Sequence, residues 1–144
     1  MATLRFTLEL TCSVERLRDF HADTSALRAL TPPVMNLQIL SEDLAVRPGN
    51  VIETVAGFGP IRQRWVARIE RVDETGFVDV ADRSPFRWWR HEHRFEATAA
   101  GSRLTDTVEY RTGFGPIGDA VAGIGLRLLF GYRHRVTREA LAGP

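Results

Sequence analysis

The chain has 144 residues, and its 19 basic and 18 acidic side chains leave a formal charge of +1. That length argues for a single domain over residues 1–144, burying roughly two thirds of the unfolded chain's surface. The charge balance excludes the strong field of a nucleic-acid-binding or polyacid-binding protein, and the lone Cys12 excludes an internal disulfide and fits a reducing, cytoplasmic compartment.

The first segment alternates: Leu4, Phe6, Leu8 and Leu10 share one face, and Arg5, Thr7 and Glu9 the other. This period of two predicts a half-buried strand over residues 3–11 and lacks the continuous apolar run of a secretion signal. Ser13 is placed to cap a short helix through His21, with Val14, Leu17 and Phe20 inward. Asp23 is placed to cap a second, carrying Ala26, Leu27 and Leu30, and Thr31-Pro32-Pro33 stops it. Strand signals then follow in quick succession over 35–40, 51–57, 61–72, 77–82, 86–97 and 103–112, joined by short turns such as Thr75-Gly76 and Ser84-Pro85. Connections this short predict an antiparallel meander. From Ile117 onward the period changes, with Val121, Ile124, Leu128 and Tyr132 recurring at helical spacing. These residues predict the inward stripe of one long C-terminal helix. No run reaches the ~18–20 apolar residues of a membrane-spanning helix.

The pentapeptide GFGPI occurs twice, at residues 57–61 and 113–117. A true duplication carries similarity beyond the shared letters. Here the first copy continues as RQRWVARIE, with strand period, and the second as GDAVAGIGLRLL, with helical period. The two copies therefore read as one turn vocabulary used twice, once to reverse a strand and once to start the helix. Phe58 and Phe114, each held between glycines, become candidate rim residues of a pocket.

The segment SPFRWWRHEHRFEA carries the chemistry. Trp89, His91, His93, Phe95 and Ala97 share one strand face, opposite Arg90, Glu92, Arg94 and Glu96. In the next strand Leu104, Asp106, Val108 and Tyr110 share a face, so an aspartate sits among apolar neighbours. Pairing the two strands through a loop at 98–101 sets Phe95 against Leu104, His93 against Asp106, His91 against Val108 and Trp89 against Tyr110. All inward residues then agree in phase, and His93 becomes the natural partner of the buried carboxylate. Three roles are open to such a group. It can be a satisfied buried polar pair. It can be the polar end of a ligand cavity. It can do chemistry, with His93 as a general base oriented by Asp106, or with His91-x-His93 and Asp106 in a two-histidine, one-carboxylate pattern. The pattern alone does not call for a metal or any other cofactor. The inward phase of residues 77–82 is undetermined, because a one-residue change in the Ser84-Pro85 turn exchanges Phe77 and Asp79 for Val78 and Val80.

The run GFVDVADRSPFRWWRHEHRFEATAAGSRLTDTVEYRTGFGPIG, with LTPP upstream and LFGYRHR downstream, resembles the SRPBCC superfamily, also called START/Bet v 1-like. Its W-x-H-x-H-x-F and L-x-D-x-V-x-Y spacings are similar to those of the small bacterial polyketide cyclase/dehydrase-like branch. The resemblance implies an α+β helix-grip fold: a curved antiparallel sheet of about six or seven strands gripping the long helix, two small helices after the first strand, and a deep apolar cavity between sheet and helix. It also implies binding of lipids, polyketides or other hydrophobic small molecules, and in some relatives cyclisation, aromatisation or hydrolysis. Fold alone does not choose among these.

The expected function is binding of a hydrophobic small molecule, the alternative a cyclase- or dehydratase-like enzyme using His93 and Asp106. The expected pocket draws Trp65 from the strand at 61–72 and Trp89, His91, His93 and Phe95 from the strand at 86–97. Asp106, Val108 and Tyr110 face them from the next strand, and Val121, Ile124 and Leu128 from the helix. Arg133, His134, Arg135 and Arg138 read as complements to the helix C-terminal dipole, and Arg62, Arg64 and Arg68 as a solvated stripe. The expected partner is the small molecule, without nucleic acid or stable membrane insertion; a homodimer is left open.

Overall fold

The alternating N-terminal segment forms β1 (Ala2–Leu10), with Leu8 and Leu10 buried. The structure, a computed structural model, describes residues 1–143. Ser13 caps α1 (Val14–His21) by accepting a hydrogen bond from the Arg16 N–H at 3.2 Å. Asp23 caps a 3-10 turn that leads into α2 (Leu27–Leu30), and the chain turns extended at Thr31, before Pro32. Six more strands follow: β2 (Gln38–Ile39), β3 (Val51–Phe58), β4 (Ile61–Asp73), β5 (Gly76–Arg83), β6 (Trp88–Thr98) and β7 (Gly101–Arg111). The chain ends in α3 (Gly115–Ala140). The sheet order is β1-β7-β6-β5-β4-β3-β2 and every neighbour is antiparallel. This is the α+β helix-grip arrangement, seven strands curving about one long helix.

The two GFGPI copies do different work. Phe58 pairs with Ile61, so Gly59-Pro60 is a two-residue hairpin turn, with Gly59 at φ 57°. In the second copy Gly115 opens α3 at φ 75° and Pro116 sits in the first turn, where a missing N–H breaks nothing. Because neighbouring strands alternate in direction, the ends of β3, β5 and β7 lie at one end of the sheet. Phe58 and Phe114 both emerge there, 59% and 83% exposed.

The β6–β7 register is the one the inward phase requires: Phe95 opposite Leu104, His93 opposite Asp106, His91 opposite Val108, Trp89 opposite Tyr110. The hairpin is tighter than the four-residue loop expected, since pairing continues to Thr98 and Gly101. The β5–β6 register resolves the phase of residues 77–82. Phe77 pairs with His93 and Asp79 with His91, so both turn inward. Val78 and Val80 face outward yet are buried. Their strand neighbours include Arg71, Arg90 and Glu92, long side chains whose stems can cover apolar surface while their charged ends pair at 3.3 Å (Arg71–Glu92) and 3.5 Å (Arg90–Glu109).

The helix does not present the stripe expected of it. Ile117, Val121, Ile124 and Leu128 are 81%, 64%, 61% and 74% exposed. The buried face is instead Gly123, Leu126, Phe130 and Thr137. Contacts at the start of α3 explain the rotation. The Tyr110 hydroxyl donates to the Asp119 carbonyl at 2.7 Å, and the Asp119 carboxylate accepts from the Thr112 N–H and hydroxyl at 2.8 and 2.7 Å. A Cβ on Gly123 would lie 2.8 Å from the Tyr110 hydroxyl, so only glycine lets this face approach. Further along, Phe130 stacks on Phe6 with ring centres 4.7 Å apart. Helical periodicity found an apolar stripe, but α3 carries two, and the one with small and polar residues faces the sheet.

Candidate functional site

The inner face of the sheet changes character along each strand. Near α1 it is apolar: Leu8, Leu10, Leu17, Phe95 and Leu104 pack into one buried cluster. One step further along the same strands it is polar, with Asp79, His91, His93 and Asp106. Beyond that it is aromatic. Trp65, Phe86 and Trp89 lie 5.1 to 5.9 Å apart by ring centres, and Phe86 meets Tyr110 edge-on at 5.7 Å.

The polar zone is one connected network. His91 Nε2 donates to Asp106 Oδ1 at 2.8 Å, and His134 Nε2, from α3, donates to Asp106 Oδ2 at 2.6 Å. His93 Nε2 donates to Asp79 Oδ2 at 2.8 Å. The His91 and His93 rings overlap, with centres 3.7 Å apart, and Phe77 stacks on the other side of His93 at 3.9 Å. His93 is therefore opposite Asp106 in register but bonded to Asp79. Its Nδ1 is 3.6 Å from Asp106, too far for a hydrogen bond. The expected His93/Asp106 pair is corrected accordingly: a ring on one strand reaches a diagonal neighbour as readily as a direct one.

Burial and charge tune these groups. For Asp106, burial alone would raise the carboxyl pKa, but hydrogen bonds from His134 and His91, with the charge of His91 and His93, outweigh it and hold the group well below the usual carboxylate range. Asp79 is likewise pulled low: the His93 hydrogen bond and the neighbouring imidazoles outweigh its burial. Burial, then the neighbouring His91, pushes His93 down, against the pull of Asp79. Burial also lowers the Arg133 guanidinium, opposed by Asp106 and Asp79. Two carboxylates are thus held ionised inside the fold among imidazoles. The zone is not sealed, because the Asp79 and His93 side chains keep 16% and 13% of their exposure.

Of the residues expected to line a pocket, the structure brings Trp65, Trp89, His91, His93, Asp106 and Tyr110 to the polar and aromatic zones. Val108 is buried with the aromatic group, while Phe95 belongs to the apolar cluster under α1. Val121, Ile124 and Leu128 lie on the outer face of α3. Sequence reasoning missed Asp79, His134 and Arg133. Arg133 turns into the interior, where its Nε donates to the Leu30 carbonyl at 3.3 Å. The signal for His134 was present: it follows Leu126 and Phe130 at helical spacing.

The deep central cavity implied by the resemblance is also corrected. Phe130, 5.1 Å from the His91 ring centre, and His134 occupy the middle of the space between sheet and helix. A cleft of about 470 Å³ opens instead between the β1/β7 edge and the first half of α3, lined by Leu4, Tyr110, Pro116, Asp119, Gly123 and Arg127. Among the described residues no helix is long and apolar enough to cross a membrane.

Residues 10–131 match the family model described as polyketide cyclase / dehydrase and lipid transport, and the chain belongs to that family, within the SRPBCC superfamily. No curated protein matches the chain. Solved structures share its fold at low identity. Protein Ms6760 from Mycobacterium smegmatis is 19% identical, over 99% of this chain and 91% of that one, with a TM-score of 0.76. Protein CV1439 from Chromobacterium violaceum is 15% identical over the whole of both chains, with a TM-score of 0.78. Ara h 8.0201 is 15% identical over 97% of each, with a TM-score of 0.71.

Proposed function

We propose that the protein binds a hydrophobic small molecule of lipid, polyketide or aromatic type between the sheet and α3. One observation carries this reading: the aromatic rings of Trp65, Phe86, Trp89 and Tyr110 adjoin an imidazole–carboxylate network on the same inner face. Apolar walls supply affinity through the area removed from water, and a few fixed polar groups orient the ligand. The cleft beside Tyr110 has a volume in the usual range for small-molecule sites and shares the Tyr110 ring with the aromatic group. Membership of a family described by polyketide cyclases, dehydrases and lipid transport supports the ligand class.

The test is native mass spectrometry of the purified protein, paired with tryptophan fluorescence during titration with a fatty acid and with 2-naphthol. The reading expects a co-purified small molecule or saturable one-to-one quenching. The absence of both contradicts it.

A second reading, a cyclase- or dehydratase-like enzyme, is favoured by one feature: the His93 ring keeps some exposure and is oriented by a carboxylate. The general acid–base pair is then His93 with Asp79, where Asp79 fixes the ring and stabilises its charged form. In this reading Asp79→Asn removes turnover of a polyketide-type substrate while leaving its binding in place. Unchanged turnover sinks it.

A further inference from the structure

We propose that Asp79, His91 and His93 form a binding site for a divalent transition-metal ion of the zinc class, with Asp106 fixing His91 from behind. His91 and His93 stand two residues apart on one face of β6, and Asp79 faces His91 across the β5–β6 register. One ligand atom from each of the three lies within 4.8 Å of the others. Tetrahedral coordination with bonds of about 2.0–2.2 Å places ligand atoms roughly 3.3–3.6 Å apart. The observed separations bracket that span: Asp79 Oδ2 is 2.8 Å from His93 Nε2 and 3.9 Å from His91 Nδ1.

The surroundings have the form that holds such ligands. His91 Nε2 donates to Asp106, so its proton sits on that nitrogen and Nδ1 keeps a free lone pair on the Asp79 side. A carboxylate behind a ligating histidine fixes its tautomer and raises its basicity. Asp106 is itself anchored by His134 at 2.6 Å, so the orientation carries across to α3. Two carboxylates, Asp79 and Asp106, converge on the two rings, each within hydrogen-bond distance of one of them. Residual exposure of Asp79 and His93 admits an ion and leaves a fourth position for water or for a ligand's oxygen. Two imidazoles and one carboxylate suit zinc, cobalt or nickel, whereas magnesium and calcium prefer all-oxygen sets. Ligation through His93 Nε2 replaces its hydrogen bond to Asp79 and moves the ring's single proton to Nδ1, which lies 3.6 Å from Asp106 Oδ1.

The inference is independent of the ligand reading, since it is tested on ligand-free protein. Chelator-treated, untagged protein is titrated calorimetrically with Zn²⁺, and with Co²⁺ while its visible absorption is recorded. One equivalent of each is expected, with the intense visible bands of four-coordinate Co²⁺. Asp79→Asn and His93→Gln each weaken binding at least tenfold, and Asp106→Asn about 10–100-fold. Nitrogen-15 spectra of the imidazoles on the unaltered protein keep the test decisive if a variant fails to fold: Zn²⁺ shifts His91 and His93 and leaves His21 in place. No saturable uptake, or uptake that leaves the His91 and His93 rings unmoved, overturns the proposal.

Discussion

Two zones of one inner face, built from the same three strands, differ in what they hold. Under α1, β6 contributes Phe95 and β7 contributes Leu104, and Leu17 is fully shielded beside them. One pleat further along, the same strands contribute His93 and Asp106, and β5 contributes Asp79. The first zone can be explained by burial alone. The second cannot, because ionised groups inside a protein need partners to offset lost hydration. The fold thus anchors a polar network on a dry core, and function is sought where the chemistry changes and not where packing is tightest.

The comparison breaks most visibly in the dry zone. Leu17→Ala is expected to cost about 2–5 kcal/mol, measured by denaturant unfolding, because it opens a cavity where no solvent reaches. Ligand and metal binding by the protein that remains folded should be unaltered.

Acid probes the boundary between the zones. His21 is buried, donates from Nδ1 to the Leu17 carbonyl at 3.0 Å, and leans on Phe95. Burial pushes its pKa down from 6.5 to about 4. The unfolded chain therefore takes up this proton first on acidification. Its contribution is fully present above pH 6.5 and is lost as pH falls towards 4, roughly 3 kcal/mol at about 1.4 kcal/mol per unit. The carboxyls of Asp79 and Asp106, held below the usual 3.8, act in the next window: their contribution is present above 3.8 and lost as pH falls below it. Unfolding free energy measured from pH 7 to 3 should fall throughout, and His21→Phe should flatten the upper part of that slope.

A smaller effect is expected in the polar zone. Asp106→Asn leaves one of the two donors, His91 or His134, without its charged acceptor, at a cost of about 1–3 kcal/mol in chemical denaturation. The smallest effect belongs to the outer face of α3. Leu128→Gln should change stability by less than about 0.5 kcal/mol, since that side chain packs against nothing buried.

Much of this architecture was legible in the sequence. Alternation in residues 86–112 set the β6–β7 register and placed two histidines and an aspartate inward, because a one-residue slip would have turned every side chain over. What the pattern could not set was side-chain reach. Register placed His93 opposite Asp106, but hydrogen bonding chose Asp79. Asp79 itself was hidden because β5 is buried on both faces, so Val78 and Val80 masked the alternation. The helix misled for a related reason. Hydrophobic periodicity favours the stronger stripe, Ile117 to Leu128, whereas close approach to Tyr110 selects the face with Gly123. His134 travelled with that choice, and so the third imidazole of the site was overlooked.

The central claim is that a ligand meets the aromatic and polar zones of the inner face and not the apolar outer stripe of α3. Nitrogen-15 correlation spectra of the histidine rings, recorded as 2-naphthol is added, test it directly. The account predicts that His91 and His93 shift with the same midpoint as tryptophan quenching while His21 stays still. Shifts confined to backbone amides between Ile117 and Leu128, with the rings unmoved, would contradict it.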